Sequence, residues 1–225
     1  MTSILKADDI QDSSGNNIIN ENADTITIGA SGDTISIPSG ATISNSGTAT
    51  GFSQTVLIKE VDASDVAAVT FENGTSSVVF DNTYKVYFLT MTNITMAGDE
   101  EVFLRALSGG SALTSGYWTA QFGCYGSSTP NAYNDRYENA FMGSPGDVES
   151  TRPFSGWCYF YNVGVSSEQP QAMGQIQMAR SNGNVYGFGF SGSYNTAISD
   201  FDGFTFTNAG GPNITSGNFK LYGIK

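Results

Sequence analysis

Hydrophobic and polar side chains alternate through a thin repeat near the amino terminus. Three units of strand length begin at Asp24, Asp33 and Ala41, and each reads Thr-Ile-Thr-Ile or a close variant of it. A period of two is typical of a strand with one buried face. The hydrophobic face consists of Ile26, Ile28, Ile35, Ile37 and Ile43.

These isoleucines are too few to stabilise the segment within one chain. Burying an isoleucine contributes roughly 1.5–3 kcal/mol, whereas ordering each residue costs roughly 1–2 kcal/mol. A repeat of this kind becomes stable when further copies stack on it. We therefore predict a slender trimeric β-shaft with the isoleucines in the trimer core. The alternative is a solvated linker, because Gly, Ser, Thr and Asn are also linker residues.

The segments on either side of the repeat predict a hook and a hinge. Residues 1–22 place apolar side chains on both limbs of an Asp-Ser-Ser-Gly-Asn-Asn turn, which predicts a hairpin able to dock on a larger body. Its apolar residues are Ile4, Leu5, Ile10, Ile18 and Ile19. Residues 45–51 are small and lack an apolar anchor, which favours a hinge. The predicted organisation is a hook over 1–22, a shaft and hinge over 23–52, and a head over 53–225.

The head carries longer hydrophobic segments and is predicted to be all-β. Gly, Asn, Ser and Asp turns separate these segments, and no convincing amphipathic helix lies between them. This pattern predicts an antiparallel β-sandwich of the jelly-roll type, with Trp118 in its core. The predicted strands cover 56–61, 67–71, 77–80, 84–91, 101–107, 117–124, 156–163, 173–179, 185–190, 201–207 and 219–224.

Composition and charge narrow the classes of partner. Of the 225 residues 39% are hydrophobic, which is enough for one proper core. A net charge of −12 argues against nucleic acid or an anionic membrane surface as a partner. We find no signal peptide and no run that approaches the ~20 apolar residues of a membrane span, so we expect no membrane insertion and folding in a reducing cytoplasm. Accordingly, Cys124 and Cys158 are expected to be free, buried thiols.

Little catalytic chemistry is open to this chain. It contains no histidine, which excludes Ser-His-Asp and Cys-His nucleophilic sites and histidine-ligated zinc, and it has no glycine-rich phosphate loop with a lysine. We therefore expect no catalytic residue, no cofactor and no bound metal. Asp135 with Glu138, and Asp147 with Glu149, leave glycan depolymerisation as an alternative, since glycoside hydrolysis needs two acids about 5–10 Å apart.

A mixed aromatic and polar segment is the candidate binding site. Aromatic faces stack on sugar rings, while carboxylates, amides and guanidinium groups form hydrogen bonds with sugar hydroxyls. This combination predicts a glycan-binding site; the alternative is that the aromatic residues pack over the open end of the sandwich. The residues concerned are Tyr133, Asn134, Asp135, Arg136, Tyr137 and Trp157.

Both ends of the chain resemble a known family. The opening Met-Thr-Ser-Ile-Leu-Lys-Ala-Asp-Asp-Ile, with Gly-Asp-Thr-Ile-Ser-Ile-Pro-Ser-Gly-Ala-Thr-Ile over 32–43, resembles the amino-terminal module of virion fibre proteins from tailed bacteriophages, especially those of marine bacteria. Residues 213–225 look like the terminal strand of the jelly-roll domain that often follows this module. Residues 84–89 and 102–105 are similar to the early strand pair of that domain.

The resemblance implies a homotrimeric protein of the virion. Its amino-terminal hook would attach to another virion protein, belonging to the tail, an adaptor or the capsid, and its head would face outward to adhere to a host surface or its glycans. The same design also occurs in capsid fibres and decoration proteins with a purely structural role. The length of 225 residues is short for a tail fibre, which keeps the capsid alternative open.

Overall fold

A computed structural model describes most of the chain. The described residues are 9–15, 17–22, 25–29, 31–38, 40–45, 55–81, 83–126, 131–137, 139–144, 147–183, 185–198 and 201–225. For residues 9, 17, 20–22, 124–126 and 131–137 the description covers the backbone alone. The chain divides into two compact units, Met1–Thr50 and Gly51–Lys225.

The described strands of the first unit form a three-stranded antiparallel sheet. β1 (Asp9–Gln11) pairs with β2 (Asn17–Asn22), and β2 pairs with β3 (Thr25–Ile28). Asp12 holds the β1–β2 turn, because its carboxylate accepts a hydrogen bond from the Ser14 amide at 2.8 Å and its carbonyl accepts one from the Gly15 amide at 3.1 Å. The predicted hairpin is therefore present in the described residues, whereas Ile4 and Leu5 lie outside them.

An apolar row crosses this small sheet. Ile10 pairs with Ile19, and Ile19 pairs with Ile28, so the three side chains share one face. Ile26 lies two residues before Ile28 on that face and is 67% exposed. Within one chain nothing among the described residues covers this row, and hydrophobic surface left in water is a cost that a partner would remove.

The second and third repeat units differ from the first. Over 33–38 and 40–45 the described backbone contains no strand, and Ile35, Ile37 and Ile43 are exposed. The prediction of one strand per unit therefore holds within a single chain for the first unit alone. The physical reason is that a strand needs a neighbouring backbone to accept and donate its hydrogen bonds. The trimer core stays a prediction.

The second unit is an antiparallel β-sandwich, which confirms the predicted fold class. The eight-stranded sheet has the order β10-β9-β14-β13-β12-β6-β16-β4, and the smaller sheet has the order β11-β7-β15-β5 with β8 paired to β7. The described part of the chain includes no apolar helix of membrane-spanning length. The strands are β4 (Thr55–Ala63), β5 (Val69–Glu72), β6 (Val86–Met96), β7 (Val102–Ser108), β8 (Ser111–Ala112), β9 (Tyr117–Gly126), β10 (Asn131–Tyr137), β11 (Met142–Gly143), β12 (Phe154–Tyr161), β13 (Gln171–Ala179), β14 (Val185–Tyr194), β15 (Phe201–Asn208) and β16 (Ile214–Ile224).

One predicted strand, over 77–80, is wrong. Ser76 and Ser77 adopt positive φ angles of 52° and 69°, which break an extended conformation. Side chains form hydrogen bonds with the backbone here, where a strand would have had backbone partners. The Phe80 amide donates to Asn73 Oδ1 at 3.1 Å, and the Tyr87 hydroxyl donates to the Val79 carbonyl at 3.0 Å. Strands β8, β10 and β11 were not predicted.

Aromatic side chains fill the space between the two sheets. Phe160 of β12 stacks on Phe204 of β15 with a distance of 3.6 Å between ring centroids. Phe219 of β16 packs against Phe206 of β15 with a distance of 5.3 Å between ring centroids. All four side chains are buried. Burial of aromatic surface on this scale supplies most of the stabilisation of such a sandwich.

Cys158 lies in this core. It is a free thiol with no exposed surface, and burial raises its pKa well above the usual value. The predicted free, buried thiol is confirmed for Cys158, while the side chain of Cys124 lies outside the description.

Candidate functional site

The predicted glycan-site residues lie on two separated strands. Residues 133–137 belong to β10, the edge strand of the eight-stranded sheet, where Asn134 pairs with Phe122 and Arg136 with Ala120. Trp157 belongs to β12, and β9, β14 and β13 lie between the two. Four strand spacings of about 4.8 Å place Trp157 about 19 Å from β10. The structure therefore does not bring Trp157 next to the other five residues, whose side chains it leaves undescribed.

Trp157 instead belongs to a row that crosses the outer face of the sheet. It pairs with Gln175, Gln175 pairs with Gly189, and Gly189 pairs with Phe122. Directly opposite residues of antiparallel strands project from the same face. Phe122 is 64% exposed and Trp157 is 37% exposed, so this face is turned to solvent. We call this set the Phe122 row.

A second row of the same composition runs parallel to it. Trp118 pairs with Ser193, Ser193 with Gln171, and Gln171 with Tyr161. We call this set the Trp118 row. Both rows read aromatic, small, glutamine, aromatic across strands β9, β14, β13 and β12. Four residues separate the rows on every strand, which corresponds to about 13 Å at a rise of about 3.4 Å per residue.

The prediction that Trp118 lies in the core is wrong, because Trp118 is 57% exposed. Its neighbour Tyr117 takes the inward position, with its ring 5.0 Å from that of Phe141. The Tyr117 hydroxyl accepts a hydrogen bond from the Ala106 amide at 2.9 Å and donates to the Leu113 carbonyl at 3.0 Å. Burial raises the pKa of this phenol. Since side chains alternate along a strand, an inward Tyr117 turns Trp118 outward.

Small residues on β14 form a floor between the aromatic residues of β9 and the glutamines of β13. On its outer side β14 presents Gly187, Gly189, Ser191 and Ser193. A Cβ atom on Gly189 would lie 2.7 Å from Cζ of Phe122, so the Phe122 ring lies over this glycine. Nothing lies within 4 Å of a Cβ built on Gly187, which leaves that part of the floor open. We call the floor, with the Trp118 and Phe122 rows that cross it, the outer groove.

Two open cavities follow the rows. One encloses about 310 Å³ and is lined by Trp118, Tyr161, Gln171, Met173 and Ser193, among others. The other encloses about 610 Å³ and is lined by Trp157, Gln175, Gln177, Ser155 and Thr90, among others. Their polar lining consists of amides and hydroxyls, and these groups can both donate and accept hydrogen bonds.

The outer glutamine side chains of β13, two in these rows and one beyond them, are exposed to solvent. Gln171, Gln175 and Gln177 are exposed, and within the described part of the chain their amides form no hydrogen bond. The hydroxyls of Ser191 and Ser193 are equally unengaged among the described residues. A flat surface with free amides and hydroxyls between aromatic rings can recognise a ligand that is apolar on its faces and polar at its edges.

Charge is absent from this part of the sheet. Strands β9, β14, β13, β12 and β6 are adjacent, and none contains an Asp, Glu, Lys or Arg. The described charges of the outer face lie at β16 and β4, where Lys220 and Glu60 form an ion pair of 3.1 Å. The Asn218 amide also donates to Glu60, and this hydrogen bond, with that of Lys220, lowers the pKa of the Glu60 carboxyl.

The predicted carboxylate pairs have structural contacts where they are described. Glu149 accepts a hydrogen bond from the Ser181 amide at 2.7 Å, and the carbonyl of Asp147 accepts one from Arg180. The side chain of Asp135 and all of Glu138 lie outside the description. Among the described residues no three His, Cys, Asp or Glu side chains are grouped to hold a metal ion.

Sequence reasoning missed the outer groove, although its signals are present in the chain. Glutamine recurs at 171, 175 and 177 with the period of one strand face, and Gly187, Gly189, Ser191 and Ser193 alternate in the same way. Neither pattern shows by itself that the two strands are neighbours. Comparison with protein-family models, with curated proteins and with solved structures finds no match to this chain.

Proposed function

We propose that this chain is a fibre-like virion protein of a tailed bacteriophage and that its sandwich adheres to a glycan of the host surface. The observation that carries the adhesive part is the outer groove, in which exposed aromatic rings face exposed glutamine side chains across a floor of glycine and serine. The assignment to a virion rests on the resemblance of both chain ends to phage fibre proteins.

Exposure of the aromatic residues supports a binding role for this face. Trp118, Phe122 and Trp157 all carry large apolar rings to solvent on one face of one sheet. Large apolar surfaces held together in solvent usually mark interaction sites. The neighbouring amides and hydroxyls favour a ligand with polar groups over a purely apolar one. A sugar has polar hydroxyls at its rim and apolar ring faces.

The amino-terminal unit supports the fibre part of the proposal. The row of Ile10, Ile19 and Ile28, with Ile26 beside it, presents an apolar face on which Ile10, Ile26 and Ile28 are exposed. Two further copies could cover it, giving a homotrimer, and the hairpin would dock on a tail, adaptor or capsid protein. Glycan depolymerisation is not proposed.

Labelling of intact particles tests the virion assignment. Antibody fragments against the sandwich, viewed by electron microscopy, should decorate the tail or its fibres. Label distributed over the capsid would instead favour a capsid fibre or decoration protein. Particles without label would refute the virion assignment altogether.

Cell binding tests the adhesive part. The purified chain should bind host cells, and periodate oxidation of the cell-surface sugars should abolish that binding. Binding that survives oxidation would rule out a glycan receptor.

A further inference from the structure

We infer that the outer groove binds an uncharged, linear polysaccharide that runs along strand β14 and occupies both aromatic rows at once. This inference rests on the proposed adhesive function and specifies its ligand. It concerns a different set of residues from the aromatic segment that the sequence predicts at 133–137.

The repeat of the two rows indicates a chain of sugars. The Trp118 row and the Phe122 row each combine an aromatic residue on β9, a small residue on β14 and a glutamine on β13. They lie about 13 Å apart along the strands, at about 3.4 Å per residue. One sugar ring is too short to contact both rows, whereas a linear oligosaccharide lying along β14 can contact both.

The small residues of β14 set the direction in which the oligosaccharide would lie. Gly187, Gly189, Ser191 and Ser193 lie at every second position along β14, and their own side chains are too small to fill the outer groove. Phe122 lies across Gly189 and offers its ring as a platform at that point. The cavity between Trp118 and Tyr161 provides the second position.

The absence of charge indicates that the ligand is neutral. The five adjacent strands β9, β14, β13, β12 and β6 contain no cation to pair with a uronate, sulfate or phosphate group. On the edge strand β10, Arg136 pairs with Ala120 and Asp135 with Gln121, so the two positions do not share a face, and Arg136 lies two strands, about 10 Å, from the β14 floor. With a net charge of −12 the chain also repels anions. Binding through rings, amides and hydroxyls should therefore depend little on salt.

Contact with a second copy of the chain is the alternative use of this face. A subunit interface buries its aromatic residues in a continuous apolar core. Here glutamine, glycine and serine separate the aromatic residues of each row, and the direct ring contacts of this face, Trp157 with Tyr159 and Tyr159 with Phe88, lie on β12 and β6 beside the floor. This composition favours the sugar ligand, and the oligomeric state of groove variants distinguishes the two.

The test measures binding of the full-length chain to a length series of linear neutral oligosaccharides. The series contains one to six hexose units in gluco, galacto and manno configurations, with the corresponding uronic acid oligomers as acidic counterparts. Isothermal titration calorimetry at low and high salt gives the affinities. We expect affinity to rise with length until both rows are occupied, then to level off, with little effect of salt.

Four variants locate the ligand. Trp118→Ala and Gln171→Ala each remove one side of the Trp118 row, and Gly189→Ala displaces the exposed Phe122 ring. Each should weaken binding by about ten-fold, as for a residue at the centre of a binding site. Leu57→Ala, an exposed change on the outer side of β4 in the same sheet, is the matched control and should leave binding unchanged.

Several results would overturn the inference. They are affinity that is already maximal for one sugar, tighter binding of the uronic acid series, or unchanged binding by Trp118→Ala and Gly189→Ala. A change of oligomeric state in Trp118→Ala, measured by sedimentation, would identify the face as a subunit contact. Preference for acidic oligomers would leave the adhesive function standing, whereas a failure to bind any oligosaccharide or periodate-sensitive cell receptor would refute both.

Discussion

The two units of this chain both expose apolar side chains, but the residues that neighbour those side chains differ. In the amino-terminal unit, isoleucines form an aliphatic row across three short strands, and further isoleucines follow at 35, 37 and 43, where the described backbone has no strand. In the two rows of the outer groove, glutamine, glycine and serine separate the aromatic rings. Aliphatic surface can be satisfied only by other apolar surface, whereas aromatic rings beside free amides suit a polar ligand. We therefore propose assembly as the role of the first surface and recognition as the role of the second.

Charging the isoleucine row should have the largest effect. The double change Ile26→Asp and Ile35→Asp would place two carboxylates from each chain in a narrow apolar core. Burying ionised carboxylates costs a large free energy when no opposite charge or hydrogen-bond donor is present to pair with them. We expect complete dissociation to monomers in sedimentation velocity at low concentration, with thermal unfolding of the sandwich unchanged. The matched control, Thr27→Asp with Thr34→Asp, alters the polar face and should stay trimeric. A trimer that survives the isoleucine changes would eliminate the shaft.

Removing one aromatic ring from each face of the sandwich should separate packing from recognition. Phe204 has no exposed surface and stacks on Phe160 at 3.6 Å, so Phe204→Ala should lower the free energy of unfolding by about 3–5 kcal/mol. Phe122→Ala removes an exposed ring and should change this free energy by less than about 0.5 kcal/mol. Urea unfolding measures both. Comparable losses in the two variants would mean that the outer ring is a packing residue.

Alanine substitution of two glycines compares the effect on stability of an added methyl group in the interior and on the outer face. A Cβ on Gly203 would lie 1.9 Å from the Phe71 carbonyl oxygen, and Gly203 has a φ of 142°. Gly203→Ala should therefore lower the free energy of unfolding by about 1–3 kcal/mol. Gly187→Ala meets open space, so it should leave stability nearly unchanged while raising the floor of the outer groove. Thermal melting of the two variants tests this, and a Gly187 variant that melts as early as the Gly203 variant would contradict the open floor.

Two glutamines of opposite faces should give the smallest effects on stability. Gln121 is fully buried, and its amide has no hydrogen-bond partner in the described part of the chain. Gln121→Leu should raise the free energy of unfolding by about 1 kcal/mol, because it removes an unsatisfied polar group. Gln175→Leu, on the outer face, should leave stability unchanged and weaken glycan binding. A destabilised Gln121→Leu variant would show that the buried amide has a partner after all.

Much of the fold could be predicted from the sequence, because its strands follow the period-two pattern of half-buried β-structure. The exception at 77–80 keeps that pattern in its side chains, with Val78 and Phe80 buried and Val79 exposed. Its backbone departs from a strand because the preceding serines adopt positive φ angles, a feature that depends on the surrounding contacts. The short strands β8 and β11 have only two residues each, too few to show a period.

The outer groove could not be predicted, for a different reason. Alternation divides β9 into two faces but does not say which one is buried. That choice depends on Tyr117 meeting the amide of Ala106 on β7, a contact between sheets. The alignment of Trp118 with Gln171, and of Phe122 with Gln175, depends on the order and register of β9, β14 and β13. Pairing of strands in this order is a tertiary property, and the sequence of each strand does not encode it alone.

Tryptophan fluorescence tests the recognition surface most directly. The chain has two tryptophans, Trp118 and Trp157, and both lie in the rows of the outer groove. We would titrate the full-length chain and the single-tryptophan variant Trp157→Phe with a neutral linear hexasaccharide, following emission and quenching by acrylamide. A ligand lying over Trp118 should shift the emission to shorter wavelength and protect it from quenching, with saturation at the calorimetric affinity. Saturable binding that leaves the emission and quenching of both proteins unchanged would place the ligand elsewhere and contradict the outer groove as the adhesive surface.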